Sequence, residues 1–273
     1  MWVWIGNVLL QIALFIGVVY GVGYVISLFN RFFYRLVNYS KAVCYTTGFI
    51  GTPIHELSHA LMCVVFRHKI NEIKLFQVDD ENGVLGYVRH SYNQKSIYQR
   101  VGNYFISVAP IVCGTAVLFL LIHLLLPQTF TRMSGYVTAF SAYAKTGLTL
   151  QNLGRLISSF LGMAQALVTS YTVGAHFWIF VLLALCIALH QNLSGADIKN
   201  SLSALPILIL LLVAVNAVLY FIFPAAYSSF VGAMNMAGGF LTCGLLLALL
   251  CSLIPLTLAL LFSLLKKLFR RGK

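Results

Sequence analysis

Gly51-Thr52-Pro53-Ile54-His55-Glu56-Leu57-Ser58-His59-Ala60 carries a His-Glu-x-x-His motif inside an otherwise apolar segment. On a helix His55 and His59 stand four residues apart, so both imidazoles project from one face, one above the other. Two ring nitrogens so placed can reach one metal ion at about 2.0–2.1 Å, the usual zinc–nitrogen distance. Glu56 lies one residue round the helix, where a carboxylate can take a proton from a water on the metal. With seven histidines in the chain, chance supplies about 0.002 motifs of this kind. The competing reading is a pair of buried histidines with a stray Glu beside them. A Glu in hydrocarbon costs a few kcal/mol unless it is paired or hydrated, which favours the metal.

Working outward, the chain has 273 residues, of which 60% are hydrophobic and 9% charged. That composition excludes an ordinary soluble domain and predicts an all-α polytopic membrane protein, a single membrane-embedded domain over 1–273. Its length allows about six transmembrane helices of ~20 residues plus one modest polar insertion. The net charge of +12 does not indicate nucleic acid. The basic residues gather at segment ends and in loops, which fits membrane topology and contact with anionic lipid headgroups, above all near the tail Lys266-Lys267-Leu268-Phe269-Arg270-Arg271-Gly272-Lys273. Cys44, Cys63, Cys113, Cys186, Cys243 and Cys251 all fall in apolar stretches without a C-x-x-C pair, and read as small core residues. Met1 is followed by aromatics rather than a basic region, so no cleavable signal peptide is expected.

Hydropathy marks spans at about 2–29, 42–66, 101–126, 173–189, 202–223 and 230–264. Pro53, two residues before His55, either kinks the second span or opens a new helix with Thr52 as its cap. Residues 71–92 hold short β-branched and aromatic runs on either side of Asp79-Asp80-Glu81-Asn82-Gly83, the signature of a β-hairpin insertion closed by an Asn-Gly turn. Residues 128–172 are less apolar, and their leucines recur at near-helical spacing, which predicts an amphipathic interfacial helix or a partial re-entrant segment. Six spans put both termini on one side. With that side cytoplasmic, inside segments carry 12 of the 18 basic residues, so the positive-inside rule predicts cytoplasmic termini. The motif then lies in the cytoplasmic half of its span, at a depth similar to that of Asp197.

A hydrolytic zinc site needs three protein ligands and an open position. Of the chain's six acidic residues, four lie in the 71–92 stretch, leaving Glu56 and Asp197. Asp197 is isolated, on a later helix and at the right depth, and is the preferred third ligand; alternatively it caps a helix beginning near Ile198-Lys199. His190 is the runner-up, as a ligand or as a partner behind one. His123 and His176 read as ordinary interfacial or core histidines, and His68 and His90 as loop residues.

Pro53-Ile54-His55-Glu56-Leu57-Ser58-His59-Ala60, the later Asp197, the hairpin-like 71–92 and the Ala109-Pro110 span together resemble the site-2 protease family of intramembrane zinc metalloproteases. The resemblance covers about 42–200, a metalloprotease core, with 202–264 as two additional transmembrane helices. It implies that His55, His59 and Asp197 hold Zn2+ and that Glu56 is the general base. It further implies that the substrate is a transmembrane segment of another protein, cut in regulated intramembrane proteolysis, and that the hairpin offers an edge to which the unwound substrate adds as a strand. Ser194-Gly195-Ala196-Asp197-Ile198-Lys199 replaces the family's Asn-x-x-Pro and Asp-Gly context, and Ala109-Pro110-Ile111-Val112-Cys113 its Gly-Pro-x-x-Asn. The chain therefore resembles a divergent branch, with no stretch suited to a PDZ domain. The alternative function is a non-catalytic metal-binding membrane scaffold or transporter, since intramembrane His and acid residues also mark ion paths.

Overall fold

The structure, a computed structural model, describes residues 2–78, 83–145 and 150–271. Each expected span corresponds to helix. α1 (Trp2–Ile12) passes through one π turn (Ala13–Gly17) into α2 (Val18–Leu36), and α3 is Lys41–Val65. The strands β1 (Lys69–Lys74) and β2 (Tyr87–Ser91) follow, then α4 (Ile97–Leu125), α5 (Pro127–Lys145), α6 (Leu150–Val168) and a 3-10 turn (Thr169–Val173). α7 (Ala175–His190), α8 (Gly195–Ile222) and α9 (Pro224–Arg271) complete the chain. Four helical stretches are long and apolar enough to cross a membrane: Trp4–Leu36, Ile97–Leu125, Gly195–Ile222 and Pro224–Lys266. By that measure the chain is an integral membrane protein. α7 is apolar but has only 16 residues, about 24 Å of helix. α3 has the length, with 25 residues, but its polar motif lowers its hydropathy.

α3 is a single helix, and Pro53 lies inside it rather than opening a new one. Thr52 does not cap anything; its hydroxyl sits 3.4 Å from His190 Nδ1. The motif face of α3 packs between α4 and α7, while Phe49, Leu57, Leu61 and Val64 on the other side remain exposed. Close approach to α7 depends on Gly51. A Cβ there would run into the Cys186 carbonyl oxygen and lie 2.9 Å from His190 Cβ.

The main apolar core joins α4, α5, α6, α7 and α9 around Leu118, Ile122, Met133, Met163, Phe180, Leu247 and Cys251. Buried polar groups pin the remaining helices. Asn216 on α8 donates to Gln11 on α1 at 2.8 Å, and the Tyr104 hydroxyl donates to the Phe15 carbonyl in the π turn at 2.6 Å. Unpaired in hydrocarbon, such groups would each cost several kcal/mol, so the pairs fix which helices are neighbours.

Two expectations need correction. The region 128–172 holds not one helix but two, and α5 and α6 pack against each other and against α9. Their apolar side chains, among them Met133, Phe140, Leu156 and Met163, are buried in the core, which a lone interfacial helix could not achieve. The hairpin exists, antiparallel with Lys69 opposite Ser91 and Lys74 opposite Tyr87, but its strands stop well short of the expected turn. Beyond them Phe76 stacks edge-on against Phe49 at 5.8 Å, and Leu85 lies over Gly48. Burial of these side chains on α3 draws the connection away from a strand ladder. The Asn82-Gly83 turn and its acids, Asp79-Asp80-Glu81, fall largely outside the described residues.

Replacing Gly51 with Ala should destabilise the protein by about 1–3 kcal/mol through overpacking against a backbone carbonyl. Gly21→Ala, where nothing lies within 4 Å, should not. Thermal unfolding of both variants in detergent checks this.

Candidate metal centre

Two helical interruptions prepare the site. Pro110, inside α4, has no N–H, so the carbonyl four residues back, that of Ile106, has no helical donor. His59 fills the gap: its Nδ1–H donates to Ile106 O at 2.8 Å. The other interruption is the end of α7, where the last carbonyls have no helical partners. Asn30 donates to Ala188 O and Leu189 O at 3.0 and 3.1 Å, and the Nδ1–H of His55 donates to His190 O at 2.7 Å.

A carbonyl only accepts, so both histidines must carry their proton on Nδ1. With both rings neutral, their Nε2 lone pairs then face each other at 3.2 Å. This arrangement is repulsive until a cation enters. Asp197 contributes a carboxylate: its Oδ1 is 3.4 Å from His59 Nε2, and all three donor atoms lie within 4.8 Å of one another. Donors about 2.05 Å from a tetrahedral zinc are about 3.3–3.4 Å apart. The donor chemistry and the spacing therefore both suit zinc.

Asp197 takes the capping role weighed for it and still has one carboxylate oxygen to spare. Its Oδ2 accepts from the Ser194 N–H at 2.9 Å, while Ser194 Oγ accepts from the Asp197 N–H at 3.1 Å. This capping box starts α8, fixes the carboxyl group and leaves Oδ1 turned toward the histidines. The ring of His190 is not among the three converging donors. Its Nε2 lies 3.1 Å from the Thr47 hydroxyl and its Nδ1 3.4 Å from that of Thr52. Thr47 gives its own proton to Val43 O at 2.8 Å, so its oxygen accepts from His190 Nε2–H. His190 thus supports His55 through its carbonyl rather than its ring.

Glu56, 6% exposed, stands beside these donors on α3. Gly86, on the return limb from the hairpin loop, lies against it: a Cβ there would come within 2.9 Å of Glu56 Cγ and 2.7 Å of Thr52 Cγ2. Glycine at 86 is what lets the backbone pass over the acid. The remaining histidines divide. His123 contacts the Phe130 ring and His176 is exposed, as ordinary histidines would. His68 does lie in the connection between α3 and β1, though buried there, whereas His90 is not a loop residue but belongs to β2. Burial lowers the pKa of both imidazoles below its ordinary value, and for His90 the neighbouring His68 adds to the effect. Sequence reasoning also missed the carbonyls of Ile106 and His190. Pro110 was the available signal for the first of them.

A family model described as "Putative zincin peptidase" matches residues 48–153, which include His55-Glu56-x-x-His59, the hairpin, α4 and α5 but stop before Asp197. The match points to a zinc metallopeptidase, with zinc as the metal, in a chain whose apolar helices suit a membrane. No curated protein and no solved structure matches the chain.

Pro110→Ala restores a backbone N–H that competes with His59 for Ile106 O. Metal affinity in a chelator-competition titration should fall by about tenfold, the lower range for losing a hydrogen bond that orients a ligand. Pro206→Ala, in the interior of α8, should leave it unchanged.

Proposed function

We propose that the chain is an intramembrane zinc metallopeptidase in which His55, His59 and Asp197 hold the metal and Glu56 is the general base. Its substrate would be a peptide bond in or near a transmembrane segment of another membrane protein. The observation that carries this reading is the pair of Nε2 lone pairs 3.2 Å apart, each fixed by a carbonyl behind its ring, with a buried carboxylate oxygen alongside.

Zinc held by such donors supplies Lewis acidity, which polarises a peptide carbonyl and acidifies a water. The chain's own residues do the rest. The Glu56 carboxylate takes a proton from the attacking water and returns it to the leaving amine nitrogen. The backbone carbonyls of Ile106 and His190 keep both imidazoles in the tautomer that leaves Nε2 free. The return limb at Gly86 lies over Glu56 and limits access to bulk water. β1 is largely exposed and its far edge is unpaired among the described residues. It offers backbone donors and acceptors to an unwound substrate, whose own carbonyls must leave their helix before hydrolysis.

The distribution of basic residues favours cytoplasmic termini, with the metal centre toward that side, and anionic headgroups as partners of the basic tail. Concentration of the membrane-embedded acids at this one centre favours an enzyme over a transporter, whose polar groups would be spread along a path.

Glu56→Gln should keep zinc and abolish cleavage, whereas His55→Ala should lose both. Mass spectrometry of new termini in membrane proteins, from cells expressing wild type or either variant, reads the first effect; metal analysis of the purified proteins reads the second. Cleavage that persists in Glu56→Gln would sink the mechanism.

A further inference from the structure

The motif face of α3 does not end at His59. Cys63 continues it, four residues on, and is fully buried. One ligand atom each from Cys63, His68 and His90 lies within 4.8 Å of the others. His68 and His90 approach through Nδ1 atoms 3.0 Å apart. As in the first centre, a carbonyl sets the tautomer: His68 Nε2–H donates to Gln99 O at 2.8 Å, which leaves Nδ1 with a bare lone pair directed at His90.

The surroundings are built to hold that ring still. Tyr92 stacks on His68, with centroids 4.9 Å apart and planes 16° apart. The Gln99 side chain donates to Arg67 O at 2.8 Å and accepts from the Asn93 N–H at 2.6 Å. Arg67 itself adopts a left-handed backbone, φ 56°, a conformation that costs a non-glycine residue about 1 kcal/mol or more. This strained turn brings His68 back beneath α3, toward Cys63.

We propose that Cys63, His68 and His90 form a second metal site, for a zinc(II) ion held by one thiolate and two imidazoles, separate from the first centre. The site lies one helical turn beyond His59, about 6 Å along α3, and shares no ligand with it. One thiolate and two imidazoles suit zinc, with one position left for water or an outside donor. Binding releases the Cys63 thiol proton and, where His90 Nδ1 carries one, that proton too. The ion joins three pieces of chain, the end of α3, the turn at His68 and strand β2. It thereby fastens the hairpin to the helix that carries Glu56. This inference does not rest on the peptidase reading.

Cobalt(II) substitution separates the two centres, because only the second contains sulfur. The full-length protein is purified in detergent, stripped with chelator and titrated with cobalt(II). A near-ultraviolet sulfur-to-cobalt charge-transfer band should appear in the wild type and in His55→Ala, whose first centre is broken. It should vanish in Cys63→Ser, and His90→Ala, which keeps the buried thiol, should weaken cobalt binding at least tenfold. In cobalt-loaded His55→Ala, chelation should also speed tryptic cleavage at the exposed Lys69, Lys74 and Arg89. No charge-transfer band at saturating cobalt in the wild type, or a band that survives in Cys63→Ser, would overturn the second site. Unchanged proteolysis on chelation would overturn its role as a fastening.

Discussion

Everything at the centre of this protein depends on two backbone carbonyls that their own helices cannot satisfy. Pro110 orphans the carbonyl of Ile106, and the end of α7 orphans that of His190. In water both would be solvated at little cost. In an apolar bundle each needs a donor, and the Nδ1–H groups of His59 and His55 supply it. The requirement works in both directions: helix geometry demands the imidazoles, and the bond each makes decides which nitrogen stays bare. A His-Glu-x-x-His sequence on a helix places two rings on one face, but it does not choose their tautomers or aim their lone pairs. The neighbouring helices do that.

This explains why packing details far from any chemistry bear on the centre. Gly51 allows α7 close enough for His190 O to reach His55, and Asn30 secures the two carbonyls just before it. Ser194 holds the carboxyl group of Asp197 by a reciprocal cap, which orients one oxygen by occupying the other. An isolated charged group at membrane depth would be costly. Here the carboxylate sits at a helix N-terminus and accepts from the Ser194 N–H on one side, with the two imidazoles on the other.

Much of this was legible in the sequence, and the parts that were not have physical causes. Each of the six spans that hydropathy marked is helical, because a long apolar run in a bilayer must satisfy its backbone internally. The motif, together with the scarcity of acids, brought His55, Glu56, His59 and Asp197 forward, and the fold does bring the three metal-ligating types among them together; their role as ligands remains the proposal made above. What failed was whatever depended on long-range packing. Residues 128–172 carry a helical period, but a period cannot tell one surface helix from two helices packed on α9. The hairpin loop departs from its ladder because Phe76 and Leu85 find α3, a contact with no local signature. Cys63, His68 and His90 looked like one core residue and two loop residues because twenty-seven positions separate the first from the last. Only the turn at Arg67 and the strand pairing close that gap.

The distance in sequence between Glu56 and Asp197 has a consequence for the life of the chain before it is finished. During synthesis α3 emerges with its histidines and glutamate long before the ribosome reaches Ser194. α7 must then arrive to supply the His190 carbonyl, and the first turn of α8 must form before the carboxylate faces them. Until that moment the nascent protein has two rings and one carboxylate, without the second carboxylate that lies beside them in the finished fold. The order of translation therefore delays the assembled cluster until every helix that frames it has been made.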